Sequence, residues 1–544
     1  MERPADLSVH PDEFRVFGGG TGDEIWAMLN AAHNGDAGAI RRMTDARPEL
    51  VDCEYNYTRP IHLAVREGHA EVARLLLERG ADPAYQSYMF DDDLLQMARD
   101  RGYDGIADLV YDALRARFDF RDDAASLLVA VDAGDQAALK KIFAERPELV
   151  SAANTLGETA LHRAVRRSDF DLVRQLLAWG APVDARRGDG TRALHLALEH
   201  PGSKRPYADG LRAGSIAGYL LANGAEYTLY AAVVLNDAPT VERILRTDPG
   251  QANRPDSNGR RPITPAASRG DVEMLRKLLT AGADPNAAVP GGPRGDALWQ
   301  AVWNQHLEVV RLLLLHGADP NAPVESSGRP IDFARDPEMR ALLVEHGGVE
   351  HSDEQSSLLS AISRGDTAAV APILEAHPNW LGDPNAFWGE GVLSVPANKA
   401  DVPMLELLME CGAKAPPVTK WARSYYFKHE HIARLLLERG AIDPNHRNWL
   451  QITILHDMAH AGDLRKAELL LDHGADINAI DDEYRSTPLG FAARFGHLSM
   501  VCFLLERGAD PTAAGAPWAG PAEWAQKRGH VQIVDVLRSP GGRI

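Results

Sequence analysis

His456-Asp457-Met458-Ala459-His460 is the stretch in which residue type and spacing point most directly to chemistry. Two imidazoles four positions apart share one helix face, the spacing of a Zn²⁺ pair. Asp457 stands where the His-Glu-x-x-His pattern places its base. No third ligand is apparent, so no metal is assigned. Carboxylates beside aromatic rings form a second constellation: Glu390 by Trp388, Glu483 by Tyr484 and Glu523 by Trp524. An acid and a base over an aromatic floor is the arrangement of a sugar-cleaving cleft. Glu390, Asp457, His460 and Glu483 are therefore the candidate catalytic residues. The sequence holds no phosphate loop, no Gly-x-Ser-x-Gly and no Cys–His pair in register, and Gly18-Gly19-Gly20 lacks the Lys-Ser/Thr of a phosphate cradle. No cofactor is expected.

The elements that must carry these residues come from a repeat. Leu-Leu-x-x-Gly-Ala, often with Asp-Pro after it, reads Leu76-Leu77-Glu78-Arg79-Gly80-Ala81-Asp82-Pro83 and returns at 278–285, 313–320, 470–476 and 504–511. Gly282 to Gly317 is 35 residues, and Gly440 to Gly474 and Gly474 to Gly508 are 34 each. A fixed period of that size means one supersecondary unit stacked on itself. Within one period, Thr487 and Pro488 start a helix over 487–495, and Gly496-His497 ends it. A second helix spans 498–506, with Met500, Val501, Phe503 and Leu504 facing the first. Gly508 is its left-handed cap. A single pair cannot bury its apolar faces alone, so neighbours must stack.

In these marks the chain resembles the ankyrin-repeat family. The family's Thr-Pro-Leu-His-x-Ala stretch is matched by Arg59-Pro60-Ile61-His62-Leu63-Ala64, Thr159-Ala160-Leu161-His162-Arg163-Ala164, Arg192-Ala193-Leu194-His195-Leu196-Ala197 and Thr453-Ile454-Leu455-His456. Its Gly-His pair is matched at Gly68-His69, Gly496-His497 and Gly529-His530, and His429-Glu430-His431 stands where a further Gly-His belongs, as a degenerate turn. About sixteen units fit between Asp23 and Ser539. The resemblance implies an all-α solenoid of helix pairs, with finger turns and first helices lining a concave groove. It also implies that His456 is a structural histidine bonded to a neighbouring finger. Residues 1–22 read as an extension, followed by repeats over 23–120, 121–226, 227–349 and 350–539. Arg47-Pro48-Glu49-Leu50-Val51 returns 99 residues later as Arg146-Pro147-Glu148-Leu149-Val150, which marks a higher period of about three repeats. Residues 201–212 read as an insertion, 289–296 and 323–329 as long fingers, and 418–440 as the weakest unit.

Three surface zones follow from that register. Residues 1–120 hold 13 Arg/Lys against 23 Asp/Glu, with Asp91-Asp92-Asp93 after Tyr85, Tyr88 and Phe90 in one finger. This zone reads as a solvated, solubilising end. Basic residues fall at first-helix ends in the middle: Arg166, Arg167, Arg260, Arg261, Arg269, Arg364 and Lys399, where a helix dipole also favours them. Eight of the ten tryptophans lie at or after Trp299, which makes the last zone aromatic. Trp303, Tyr426, Phe427, His460 and Phe495 fall at exposed first-helix positions, and Trp388, Trp449, Tyr484 and Trp518 fall in fingers. Trp299, Trp421 and Trp524 read as packing between units. The candidate binding residues are Trp303, Trp388, Tyr426, Trp449, His460, Tyr484, Arg485 and Trp518.

Composition bounds the partners. A net charge of −19 opposes a nucleic-acid backbone, and no run approaches the eighteen apolar residues of a membrane span. Three separated cysteines, Cys53, Cys411 and Cys502, fit a reducing compartment. Residues 1–14 are acidic without an apolar core, so no signal peptide is expected. The expectation is a monomeric, cytoplasmic and, from its Ala/Arg/Gly-rich composition, bacterial scaffold that binds a protein partner through the groove. The alternative is an enzyme acting on a small or glycan-like substrate in the aromatic zone.

Overall fold

The computed structural model describes residues 3, 14–15, 19–87, 90–198, 208–256, 259–287, 296–322, 329–349, 353–382, 387, 390–416, 422–448 and 450–539, and of 14–15, 208–214, 332, 353–356 and 422–423 the backbone alone. The chain divides into two compact units, Arg3–Val349 and Glu350–Ile544. Both are built from short antiparallel helix pairs, and the strands among the described residues are a two-residue hairpin, Phe14–Arg15 with Gly20–Thr21.

That hairpin lies in the N-terminal extension and leads into the first helix, Gly22–Asn34, through a capping box of Thr21 and Glu24. In the first unit, Pro60–Arg66 packs between Gly22–Asn34 and Leu94–Arg101, so first helices stack on first helices and second helices on second. Local sequence explains each break. Many first helices begin at Thr or at Pro in the first turn, and many second helices begin at an aspartate that accepts a backbone N–H, as Asp36, Asp135, Asp169 and Asp271 do. Three buried apolar clusters run along this unit: Ile25 to Phe120, Ala124 to Ala231 and Leu229 to Leu343. The pair expected at 487–506 is present as Pro488–Arg494 and Leu498–Glu506, with Thr487 accepting from the Gly490 N–H and Gly508 left-handed. Of the insertion expected at 201–212, residues 208–212 belong to helix Ala208–Ala222, and the remainder lies outside the described residues. The long fingers expected at 289–296 and 323–329 lie almost entirely outside them too.

Two sets of polar side chains tie many repeats to the next. His69, His306, His429, His497 and His530 each bring Nε2 to 2.8–3.1 Å of a carbonyl at the end of the preceding first helix: His33, Ser268, Asn398, His460 and Arg494. His429 thus performs the Gly-His role in the degenerate turn. The ring lies flat on the preceding helix cap, so that a Cβ at Gly270 would meet His306 at 2.7 Å, and only glycine fits there. On the finger side, Asn286 donates to the Gly317 carbonyl and accepts from the Asp319 N–H, both at 2.7 Å. Asn253, Asn321 and Asn445 repeat this clasp. Asn286→Ala is expected to lose two solvent-facing bonds and about 1–2 kcal/mol in urea unfolding, with Asn286→Asp, which keeps the acceptor, losing about half as much.

Candidate functional site

Helix Ile454–Ala461 carries the histidine pair. His456 is wholly buried. Its Nδ1 accepts the Thr453 N–H at 3.1 Å and lies 2.8 Å from the Thr453 hydroxyl, so Nε2 carries the proton and donates to the Ser486 carbonyl at 3.3 Å. Both nitrogens are committed to structure, and burial pushes the ring pKa down to about 3. His162 repeats this arrangement with Thr159 and the Thr191 carbonyl, its pKa pushed down to about 4 by burial. His460 is half-buried, its ring edge-on to Phe495 at 4.2 Å, and Asp457 sits half-buried in the first turn of the same helix. Among the described residues no group of three His, Cys, Asp or Glu side chains could hold a metal ion.

The carboxylates set beside rings are not arranged as a cleft. Glu390 and Glu483 are buried in fingers of different repeats, whereas Glu523 is exposed on the first turn of Pro521–Lys527. Asp481, two residues before Glu483, is buried and accepts the N–H groups of Tyr484 (2.6 Å) and Ser486 (2.9 Å). Burial, with Glu483 adding to it, pushes the Asp481 carboxyl up to about 7 against those two bonds. Beside them the Arg494 guanidinium is clamped between rings, 4.4 Å from the centroids of both Tyr484 and Trp524. Trp524 is itself edge-on to Tyr484 at 5.6 Å and to Trp518 at 5.8 Å. The result is a polar core beneath the finger, closed to solvent.

Comparison with known proteins follows the same pattern. The family model described as "Ankyrin repeats (3 copies)" matches residues 228–323 and 420–514, and that described as "Ankyrin repeat" matches 58–88 and 156–187. Cyclin-dependent kinase 4 inhibitor B of Homo sapiens is 43% identical over 109 residues, 20% of this chain and 78% of that protein. The chain belongs to the ankyrin-repeat family. The B-cell lymphoma 3 protein homolog of Mus musculus is 27% identical over 201 residues, 35% of this chain and 44% of its own length. The transient receptor potential cation channel subfamily A member 1 homolog of Caenorhabditis elegans is 28% identical over 181 residues, 33% of this chain. The ankyrin chain spans only 12% of that channel's length.

Several expected binding residues are corrected by the structure. Tyr426, assigned to an exposed first-helix position, is 0% exposed, and its hydroxyl donates to the Glu390 carbonyl; Phe427 is equally buried. In this degenerate repeat the described part of the first helix is Ala422–Tyr425, and Tyr426 and Phe427, directly after it, turn into the core. Tyr484, assigned to a solvated finger, is 1% exposed because it turns inward under Arg494. Tyr85 and Phe90 of the acidic finger are likewise buried. Arg485 is half-buried and pairs with Asp482 at 3.2 Å. Trp518 is half-buried, with the Lys527 ammonium 5.4 Å from its centroid. Trp388 and Trp449 lie outside the described residues. Trp303 is 44% exposed, stacks on Trp299 at 5.3 Å and 21°, and has Arg335 5.9 Å from its centroid. The basic residues of the middle zone serve the scaffold: Arg167 donates to the Asp132 carbonyl, Arg269 to Val233 and Val234, and Lys399 to Ser363, each at the end of the preceding first helix.

Proposed function

We propose that this ankyrin chain is a non-catalytic scaffold that recognises a protein partner through the groove of its first helices and finger turns, as a monomer in the cytoplasm. The observation that carries the reading is the fate of the polar residues. His456, Glu390 and Glu483 are withdrawn from solvent, and Arg167, Arg269 and Lys399 at first-helix ends bond backbone carbonyls. Among what first helices leave exposed are large apolar side chains: Val129, Leu235 just after its helix, and Trp303. The cyclin-dependent kinase 4 inhibitor is named for acting on another protein, and that mode of action alone is carried over here. No membrane-spanning helix occurs among the described residues, and the three cysteines are free.

The reading makes Trp303 an anchor whose loss separates binding from folding. Its ring already keeps one face toward solvent, so Trp303→Ala is expected to cost at most about 2 kcal/mol of stability, while partner affinity falls at least about thirtyfold. Affinity capture of the partner on wild-type and Trp303→Ala chains, with thermal unfolding of both, checks the pair. Equal capture by the two chains removes Trp303 from the interface.

A further inference from the structure

Consecutive repeats of the first unit are joined by a finger turn, such as residues 179–192 between Phe170–Ala178 and Ala193–Leu198. Two junctions lack one. Residues 119–123 alone connect Asp104–Phe118 to Ala124–Ala133, and residues 223–228 alone connect Ala208–Ala222 to Leu229–Val234. At the first junction, rings replace the finger: Phe118 and Phe120 are buried, and Tyr111 stands edge-on to Phe120 at 5.4 Å. The backbone closes it as well, with the Arg121 N–H donating to the Ala153 carbonyl at 3.2 Å. The second junction opens instead into a cleft of about 510 Å³.

Asp256, which lines it, shows the consequence of the missing finger. The rings of His162 and His456 meet the carbonyl of the next finger, whereas His195 has no such finger and meets the Asp256 carboxylate at 3.5 Å. Its walls carry acidic and basic groups that differ in what they are tied to. Glu226 pairs with Arg192. Asp248 accepts from the Gly250 N–H at 3.1 Å and from Gln251 Nε2 at 2.9 Å. Asp256 accepts from the Arg260 N–H at 2.8 Å. Each carboxylate of the wall therefore has a partner. Arg186, Arg243 and Arg254 come from three separate segments, line the same cleft, are exposed, and make no side-chain hydrogen bond or ion pair among the described residues.

Arg186 and Arg254 act on the Glu226 carboxylate, which pairs with Arg192, so four guanidiniums against three carboxylates leave the lining net positive in a chain of net charge −19, a local reversal of sign that favours an anion. Planar guanidinium forks match phosphate oxygens two at a time. The volume is that of a small-molecule site and exceeds what one inorganic anion fills. Tyr227, Tyr230 and Ile244 supply the wall for whatever the anion is attached to. We propose that this cleft binds a phosphate monoester, with Arg186, Arg243 and Arg254 on the phosphate and its organic portion against the two tyrosines.

Calorimetric titration of the full chain at low salt tests this with four probes: inorganic phosphate, adenosine monophosphate, a short phosphoserine peptide and the same peptide unphosphorylated. At least one phosphate ester is expected to bind more tightly than about 1 mM. The triple substitution Arg186→Gln, Arg243→Gln, Arg254→Gln is expected to weaken it at least tenfold. Arg174→Gln, on helix Phe170–Ala178 and outside the cleft lining, leaves it unchanged. Preference for the nucleotide identifies a small-molecule ligand, and preference for the phosphopeptide over its unphosphorylated twin identifies a partner's modified side chain; either supports the site. Circular dichroism establishes that the triple variant, altered only at exposed positions, is folded. Absence of binding by every ester, or binding that the folded triple variant retains, overturns the proposal.

Discussion

Exchanging His456 for alanine is expected to cost the C-terminal unit about 3–5 kcal/mol. The ring is fully buried and edge-on to Phe491 at 4.7 Å, so truncation opens a cavity. It also strands the Thr453 N–H at the start of the helix and the Ser486 carbonyl in the next finger. The pH dependence gives the same side chain a second signature. The folded-state pKa, about 3, lies below the unfolded value of about 6.5, so the neutral ring's contribution is complete above pH 6.5 and is lost as pH falls from there toward 3. The loss is about 1.4 kcal/mol per pH unit. His162 adds the same dependence in the first unit over the window from 6.5 to about 4. Asp481 opposes it within the C-terminal unit. Its carboxyl, raised to about 7 above an unfolded value near 4, binds a proton on folding, so its contribution grows as pH falls through that range. The difference between wild type and His456→Ala cancels the Asp481 effect and should shrink steadily below pH 6.5. A difference independent of pH would mean that the ring is charged or solvated in the folded protein.

The second large effect belongs to Arg494 and Trp524. Trp524 is completely buried and touches Tyr484, Trp518, Arg494 and Lys527. Trp524→Ala is expected to cost about 3–5 kcal/mol from the cavity alone. Arg494→Ala removes a guanidinium held between two desolvated rings and is expected to cost about 3–4 kcal/mol, the cation–π contacts giving roughly 2 of these. Arg494→Lys keeps the charge but not the flat face, and should recover less than half. Because stacked repeats need not unfold together, hydrogen exchange across residues 481–527 is the measurement to use. Loss of protection confined to that segment is the expected pattern. Unchanged protection in both alanine variants would show that the ring cluster does not stabilise the C-terminal repeats.

The period, the helix pairs, their caps and the structural role of His456 could all be read from the sequence, because each follows from local spacing: Thr or Pro at a helix start, glycine at a left-handed cap, apolar residues on one face. The direction in which a large ring turns could not. Tyr426 and Tyr484 stand at positions that face solvent in a regular repeat, but the Glu390 carbonyl that one hydroxyl meets and the buried Arg494 over the other ring draw both inward. One signal passed unread: Asn286, Asn321 and Asn445 each follow Asp-Pro at the repeat's own spacing, and each clasps the next repeat. The cleft at residues 223–228 was hidden for a different reason. It arises from residues that are missing, and its guanidiniums come from segments distant in sequence.

The most direct test of the scaffold reading is site-specific photo-crosslinking in the native cell. A photoreactive side chain is placed at Val129 or Trp303 on first helices, and at Leu315 at the end of a second helix; the three are 66%, 44% and 68% exposed. Recognition through the groove predicts a discrete protein adduct from Val129 or Trp303 and none from Leu315. An adduct from Leu315 alone, or no adduct at any position from a purified chain that turns over a small substrate, would contradict it.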